Sequence, residues 1–171
     1  MKYILYSFIC CLLDLFTKQY INNSIEKGDK REVLPEKLYF LNTKNTGIAY
    51  NRLEKKPNAV KCITSIITAI FGVCFFRLIG NKYTPEYLKI GSAMAFGGAV
   101  GNLYDRLKNG CVTDFIYFKA VKKSPVFNLA DVFITAGAII MAFGDIFKYW
   151  SLPGMTDDSL FWTYIFYTGF R

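Results

Sequence analysis

The sequence predicts an all-α integral membrane protein, with four transmembrane helices and a small extramembrane β-rich loop domain. Three observations point there. The chain of 171 residues is 53% hydrophobic. Its apolar residues gather in four long blocks, not at the period of 2 or 3.6 that a half-buried soluble element shows. Each block is close to the ~20 residues that cross ~30 Å of hydrocarbon at ~1.5 Å per residue.

The first helix is expected over residues 3–21, apolar from Tyr3 to Leu13 and then broken by Asp14 and Lys18. Its start resembles a cleaved signal peptide. Bulky Phe8-Ile9 ahead of Cys10, with charges where a small-residue cleavage site should fall, marks a retained helix instead. Residues 22–57 are polar, with short pieces such as Glu32-Val33-Leu34 and Lys37-Leu38-Tyr39-Phe40-Leu41, and predict a small sheet at the membrane surface. The second helix is expected over 58–79. A short polar turn with Pro85, a residue suited to a first helical turn, leads into the third over 87–106. Residues 107–126 are expected as an outer loop, and Pro125 precedes the fourth helix over 127–150. The tail, 151–171, carries the aromatic run Phe161 to Tyr167. It is too short to span and reads as an interfacial amphipathic helix. Residues 1–171 form a single membrane domain in this reading.

Composition removes several function classes. There is no histidine, which excludes Ser-His-Asp and Cys-His catalysis and any His-ligated metal. No metal or cofactor is expected. Cys10, Cys11, Cys62, Cys74 and Cys111 form no CxxC pair, and four lie within apolar blocks as small apolar fillers. The net charge of +8 comes from basic residues flanking the apolar blocks, which suits anionic lipid head groups and not nucleic acid. Four crossings put both termini on one side. Lys and Arg bias alone favours the opposite orientation, because the loop 22–57 is the basic one. Long folded loops are weaker topology signals than short ones.

Alternation of the crossings brings Asp14, Asp105, Asp114 and Asp131 to the side that holds residues 22–57. Asp145, beside Lys148, falls at the other end. An ionised side chain at mid-membrane costs about 2.5–3.5 kcal/mol on insertion scales, so four at one depth ask for a reason beyond packing. Asp14 and Lys18 are spaced to pair at i, i+4. Asn102, Asp105 and Arg106 share one helix face, and Asn128 and Asp131 share another. Asp105 with its neighbours Arg106 and Asn102, and Asp14 with Lys18, read as structural polar groups. Asp114 and Asp131 have no basic residue at such a spacing, although Lys108 and Lys122-Lys123 lie in the loop between them. Ala93, Gly97 and Gly101 form a small-residue ridge on the third helix, read as a helix-packing surface.

Two carboxylates within hydrogen-bond reach share a proton. One then takes a proton from water while the other polarises a peptide carbonyl, which needs neither histidine nor metal. Asp114 and Asp131 are the best candidates. Cys111 has no base to activate it. Two rivals remain open at this point. A small proton-coupled carrier would also use intramembrane Asp and Lys, and a non-catalytic assembly subunit would use them for helix contacts. A proton relay favours acids strung across the membrane depth, whereas these collect on one face.

Four motifs carry a family resemblance. Asp14-Leu15-Phe16-Thr17-Lys18 resembles the D-x-x-T-K end of the first helix of signal peptidase II, the lipoprotein signal peptidases. Asn45-Thr46-Gly47-Ile48-Ala49-Tyr50 is similar to that family's N-x-G-x-A-F, with Tyr50 in place of Phe and Asn51 where a small Ser is common. Gly101-Asn102-Leu103-Tyr104-Asp105-Arg106, then Gly110, Val112 and Asp114-Phe115-Ile116, resembles G-N-x-x-D-R…G-x-V-x-D-F-I. Phe127-Asn128-Leu129-Ala130-Asp131 matches F-N-x-A-D. The resemblance implies a multi-pass enzyme of the bacterial inner membrane with cytoplasmic termini and an active site toward the outer face. It puts a catalytic dyad on Asp114 and Asp131. Asn45, Gly47, Asn102, Arg106 and Asn128 would shape the site and position substrate, and Asp14 and Lys18 would hold the first helix. The implied substrate is a prolipoprotein with a diacylglyceryl-modified cysteine, cut before that cysteine, and the implied inhibitor is globomycin. The tail after Trp150 has no counterpart in this pattern.

Overall fold

A computed structural model describes residues 1–47, 55–119 and 124–150, with side chains as far as Gly144. The expected tail helix, the Asp145–Lys148 pair, Ile48 to Asn51 and Lys122-Lys123 lie outside what is described. The elements in order are α1 (Lys2–Ser24), β1 (Lys30–Leu34), β2 (Leu38–Asn45), α2 (Pro57–Gly80), α3 (Glu86–Asn109), β3 (Val112–Phe118), β4 (Val126–Phe127) and α4 (Leu129–Trp150). Among the described residues, α1 and α2 are long and apolar enough to cross a membrane, and Leu129–Gly144 is a shorter apolar stretch. Composition does not mark α3 in the same way, because charges sit at both its ends and glycines fill its middle.

Helix α3 is the centre of the bundle, and glycine makes that possible. A Cβ on Gly97 would lie 2.3 Å from the Ser7 carbonyl oxygen of α1, and one on Gly101 would lie 2.5 Å from Asp14 Oδ2. On the face toward α4, a Cβ on Gly98 would meet the Ala130 carbonyl oxygen at 2.5 Å, and Gly91 and Gly137 abut each other's backbone. The ridge read from the sequence thus faces α1, and a second glycine face receives α4. In lipid, where apolar burial does not drive helices together, such close backbone contact supplies the attraction. Helix α2 joins from a third side, where Phe75 stacks on Phe96 with centroids 4.9 Å apart. Its other face exposes Ile66, Ile67, Ile70, Val73 and Phe76, an apolar surface that water would not tolerate on this scale.

Residues 107–126 are not the plain loop expected. The run Val112 to Phe118 is rich in β-branched and aromatic residues. It forms β3, which pairs antiparallel with β2, and β4 pairs antiparallel with β3, giving a four-stranded sheet in the order β1-β2-β3-β4. Gly110, in the left-handed region at φ 75°, closes α3 and turns the chain directly into β3. One face of β3 sends Phe115 into a small core with Ile21 and Ile25. By strand alternation the opposite face carries Asp114.

Gly97→Ala should therefore push α1 off α3 and cost about 1–3 kcal/mol of stability. Gly80→Ala, where an added Cβ meets nothing within 4 Å, should stay within about 0.5 kcal/mol of wild type. Thermal unfolding of the detergent-solubilised proteins measures both. Equal melting points for the two variants would contradict the packing described.

Candidate active site

The site is assembled where the sheet meets the ends of α1, α3 and α4. Asp14 is fully buried and Lys18 is 2% exposed. Lys18 Nζ donates to Asp14 Oδ2 at 2.7 Å and to Asn102 Oδ1 at 2.8 Å, and lies 3.4 Å from Asp105 Oδ2. The other Asp14 oxygen accepts the Ala130 backbone N–H at 2.8 Å. A carboxylate from α1 thereby satisfies one of the amide groups left open in the first turn of α4.

Asn128 and Asp131 form a reciprocal cap at the start of α4. The Asp131 N–H donates to Asn128 Oδ1 at 3.0 Å, and the Asn128 N–H donates to Asp131 Oδ2 at 3.2 Å. This is the geometry of a capping box, with Asn as the cap and Asp three residues on. It explains why α4 begins at Leu129 and not at Phe127.

Three side-chain amides turn their NH2 groups toward the two carboxylates, and in each the carbonyl oxygen is already engaged. Asn102 Oδ1 is held by Lys18, so its Nδ2 donates to Asp131 Oδ1 at 2.9 Å. Asn45 Oδ1 takes the Gly47 N–H, and its Nδ2 donates to Asp114 Oδ2 at 3.0 Å. Asn128 Oδ1 takes the Asp131 N–H, and its Nδ2 donates to Asp114 Oδ1 at 2.7 Å. Asn128 therefore touches both acids, one with its side chain and one with its backbone. Asp114 is 6% exposed. Burial pushes its carboxyl above the ordinary carboxylate range. The amides of Asn45 and Asn128 oppose that rise, and the neighbouring Asp131 charge adds to it.

Arg106 donates from Nη2 to the Gly47 carbonyl oxygen at 2.8 Å, and its charge acts on Asp114 and Asp131. Its Nη1 is buried with no hydrogen-bond partner among the described residues. Asp105 departs from the network expected with Arg106 and Asn102. It accepts from the Thr113 backbone N–H at 3.2 Å and from Asn109 Nδ2 at 3.2 Å, and pairs with Lys18. Asp114 is a strand residue and not a loop residue. Sequence reasoning did not single out Lys44, whose Nζ donates to Asn22 and, at 2.9 Å, to Thr113 Oγ1. Its place one residue before Asn45 in an alternating strand, on the face away from Asp114, was the available signal.

The family profile described as "Signal peptidase (SPase) II" matches residues 6–147. This chain belongs to the signal peptidase II family. It is 34% identical over 151 residues to the lipoprotein signal peptidase of Pelotomaculum thermopropionicum, covering 88% of this chain and 91% of that one. The lipoprotein signal peptidase of Pseudomonas putida is 32% identical over 147 residues, covering 83% and 84%. A bacterial membrane enzyme solved by the in meso method at 2.3 Å superposes with a TM-score of 0.74 at 27% identity, over 91% of this chain and 93% of that one. As a signal peptidase II the chain is a membrane-associated aspartic endopeptidase that processes lipoprotein precursors. Membership favours neither the carrier nor the assembly subunit.

The raised pKa of Asp114 has a consequence for stability. A carboxyl whose folded-state value exceeds the unfolded one stabilises the fold fully below the unfolded value. That contribution is lost as pH rises through the folded value. Asp114→Asn removes this dependence. The melting point of wild type should fall more than that of the variant as pH rises above about 4, the unfolded aspartate value. Melting points that drop in parallel would contradict the assignment.

Proposed function

We propose that this enzyme removes the signal peptide from diacylglyceryl-modified prolipoproteins with Asp114 and Asp131 as its reacting pair, cutting on the N-terminal side of the lipidated cysteine. The observation that carries the reading is Asn128, whose amide holds Asp114 and whose backbone N–H holds Asp131. Two acids tied to one residue, in a partly dry site, share a proton. In the proposed reaction one carboxylate takes a proton from water as the water oxygen bonds the scissile carbonyl carbon. The protonated partner gives its proton to the carbonyl oxygen. The tetrahedral diol then collapses and the C–N bond breaks. The first acid delivers its proton to the departing amine, and the second recovers one from the diol. The site groups needed are two carboxyls and fixed donors. The Nη1 of Arg106, without a hydrogen-bond partner among the described residues, is suited to a peptide carbonyl of the substrate.

The wider arrangement belongs to the same reading. All four helices cross the bacterial inner membrane, with the sheet and acid pair toward the outer face and both termini cytoplasmic. The exposed apolar faces of α1 and α2 support a lipid surround. A diacylglyceryl cysteine is held in the bilayer at about 0.8 kcal/mol per buried CH2, so its scissile bond stays at head-group depth, where the sheet meets the helix ends. The basic residues Lys30 and Arg31 in the sheet, and Lys37 and Lys119 beside it, suit anionic lipid there. Globomycin is expected to block the acid pair.

Asp114→Asn and Asp131→Asn should each lower cleavage of a diacylglyceryl precursor by about 10²–10⁴-fold, with the protein still inserted and folded. Wild-type turnover in either purified variant would end the proposal, as would cleavage indifferent to globomycin.

A further inference from the structure

The acid pair is not symmetric, and the asymmetry begins with a residue that touches neither acid. Lys18 Nζ grips Asn102 Oδ1 at 2.8 Å, which fixes the amide so that its Nδ2 meets Asp131 Oδ1 at 2.9 Å. A cation on the oxygen of an amide polarises its N–H bonds and strengthens what they donate. The second Asp131 oxygen takes the backbone N–H of Asn128, the cap of α4, and Asp131 itself lies in the first turn, where the helix dipole favours negative charge. Asp114 has a different setting. It sits in a strand, and the two amides that reach it are oriented by backbone N–H groups of Gly47 and Asp131 and not by a cation. Asp114 is also buried while Asp131 is half-buried.

Resting on the reading of Asp114 and Asp131 as the reacting pair, we propose that Lys18 is a positioning residue that makes the pair unequal. Through Asn102 it holds Asp131 as the ionised carboxylate that takes the proton from water, and leaves Asp114 as the protonated partner. The other charges that act on Asp131 are Arg106 from α3 and Asp114 from β3. Lys18 sits between Asp14, Asp105 and the amide, so its single charge serves all three. The upward push that burial gives Asp114 runs the same way.

The test is the pH profile of kcat for the full-length enzyme in detergent, with a diacylglyceryl precursor peptide as substrate. The acid limb reports the group that must be ionised. Lys18→Met, which weakens the donor to Asp131, should move that limb to higher pH by about one to two units, the acidity equivalent of one charge-assisted hydrogen bond. KM should be little changed. Asn102→Ala removes the same donor and leaves the Lys18–Asp14 pair in place, so it answers the question even where Lys18→Met does not fold. It should shift the limb in the same direction. An acid limb that stays put in Asn102→Ala, with only kcat or melting point reduced, overturns the role given to Lys18. Turnover in Asp131→Asn at the wild-type rate is a separate result and overturns the acid pair itself.

Discussion

A lysine and an aspartate, four residues apart and sealed from solvent on all sides, hold this molecule together. Lys18 and Asp14 lie 2.7 Å apart at 2% and 0% side-chain exposure. Taking two such ions out of water is expensive, and their attraction repays the cost only when every remaining lone pair and proton finds a partner. Here they do. Asp14 spends its second oxygen on the backbone of α4, and Lys18 donates to Asn102 and forms a second ion pair with Asp105 of α3. The pair therefore binds three helices to one another at the level of the acid pair. Loss of one partner would leave an isolated buried charge, which costs about 3–5 kcal/mol. The missing side chain of Gly101 is part of this arrangement, because a Cβ there would occupy the space of Asp14 Oδ2.

From that pair outward the polar groups form a hierarchy of constraint. Charged and backbone groups fix the carbonyl oxygens of three asparagines, and the asparagines then present NH2 groups to Asp114 and Asp131. An amide side chain is an ambiguous recognition element, because a flip exchanges donor for acceptor. Engaging each oxygen removes the ambiguity. All four carboxylate oxygens of the two acids receive one donor each and keep a lone pair for chemistry. In the proposed reaction, such preorganisation means that little has to rearrange when charge develops on a bound peptide.

Much of this was legible in the sequence, for identifiable reasons. The apolar blocks gave the helices, because 20-residue runs admit few other readings. The i, i+4 spacing gave the Asp14–Lys18 pair, and the four motifs gave the list of polar residues around Asp114 and Asp131. Partner choice across elements was not legible. Asp105 lies beside Arg106 in sequence, yet its carboxylate points along α3 to Lys18, Asn109 and Thr113, while Arg106 reaches away to Gly47. Adjacent helical residues do not face each other. The strand β3 was also hidden, since seven residues with one acid among them alternate too weakly to separate from a loop. The capping box could have been read from Asn128 and Asp131 at i, i+3. It shows that this aspartate belongs to the helix start as much as to the site.

The cap that Asp14 places on the Ala130 amide joins the beginning of the chain to its last described helix. Synthesis delivers α1 first and α4 last among the described helices. Until α4 has emerged and docked, Asp131 is absent and the Asp14 carboxylate in α1 has no Ala130 amide to receive. With Asp114 and Asp131 as the proposed reacting pair, the growing polypeptide is thus mute as a protease until α4 is in place. Competence then arrives in one step, with the docking of α4 on α1.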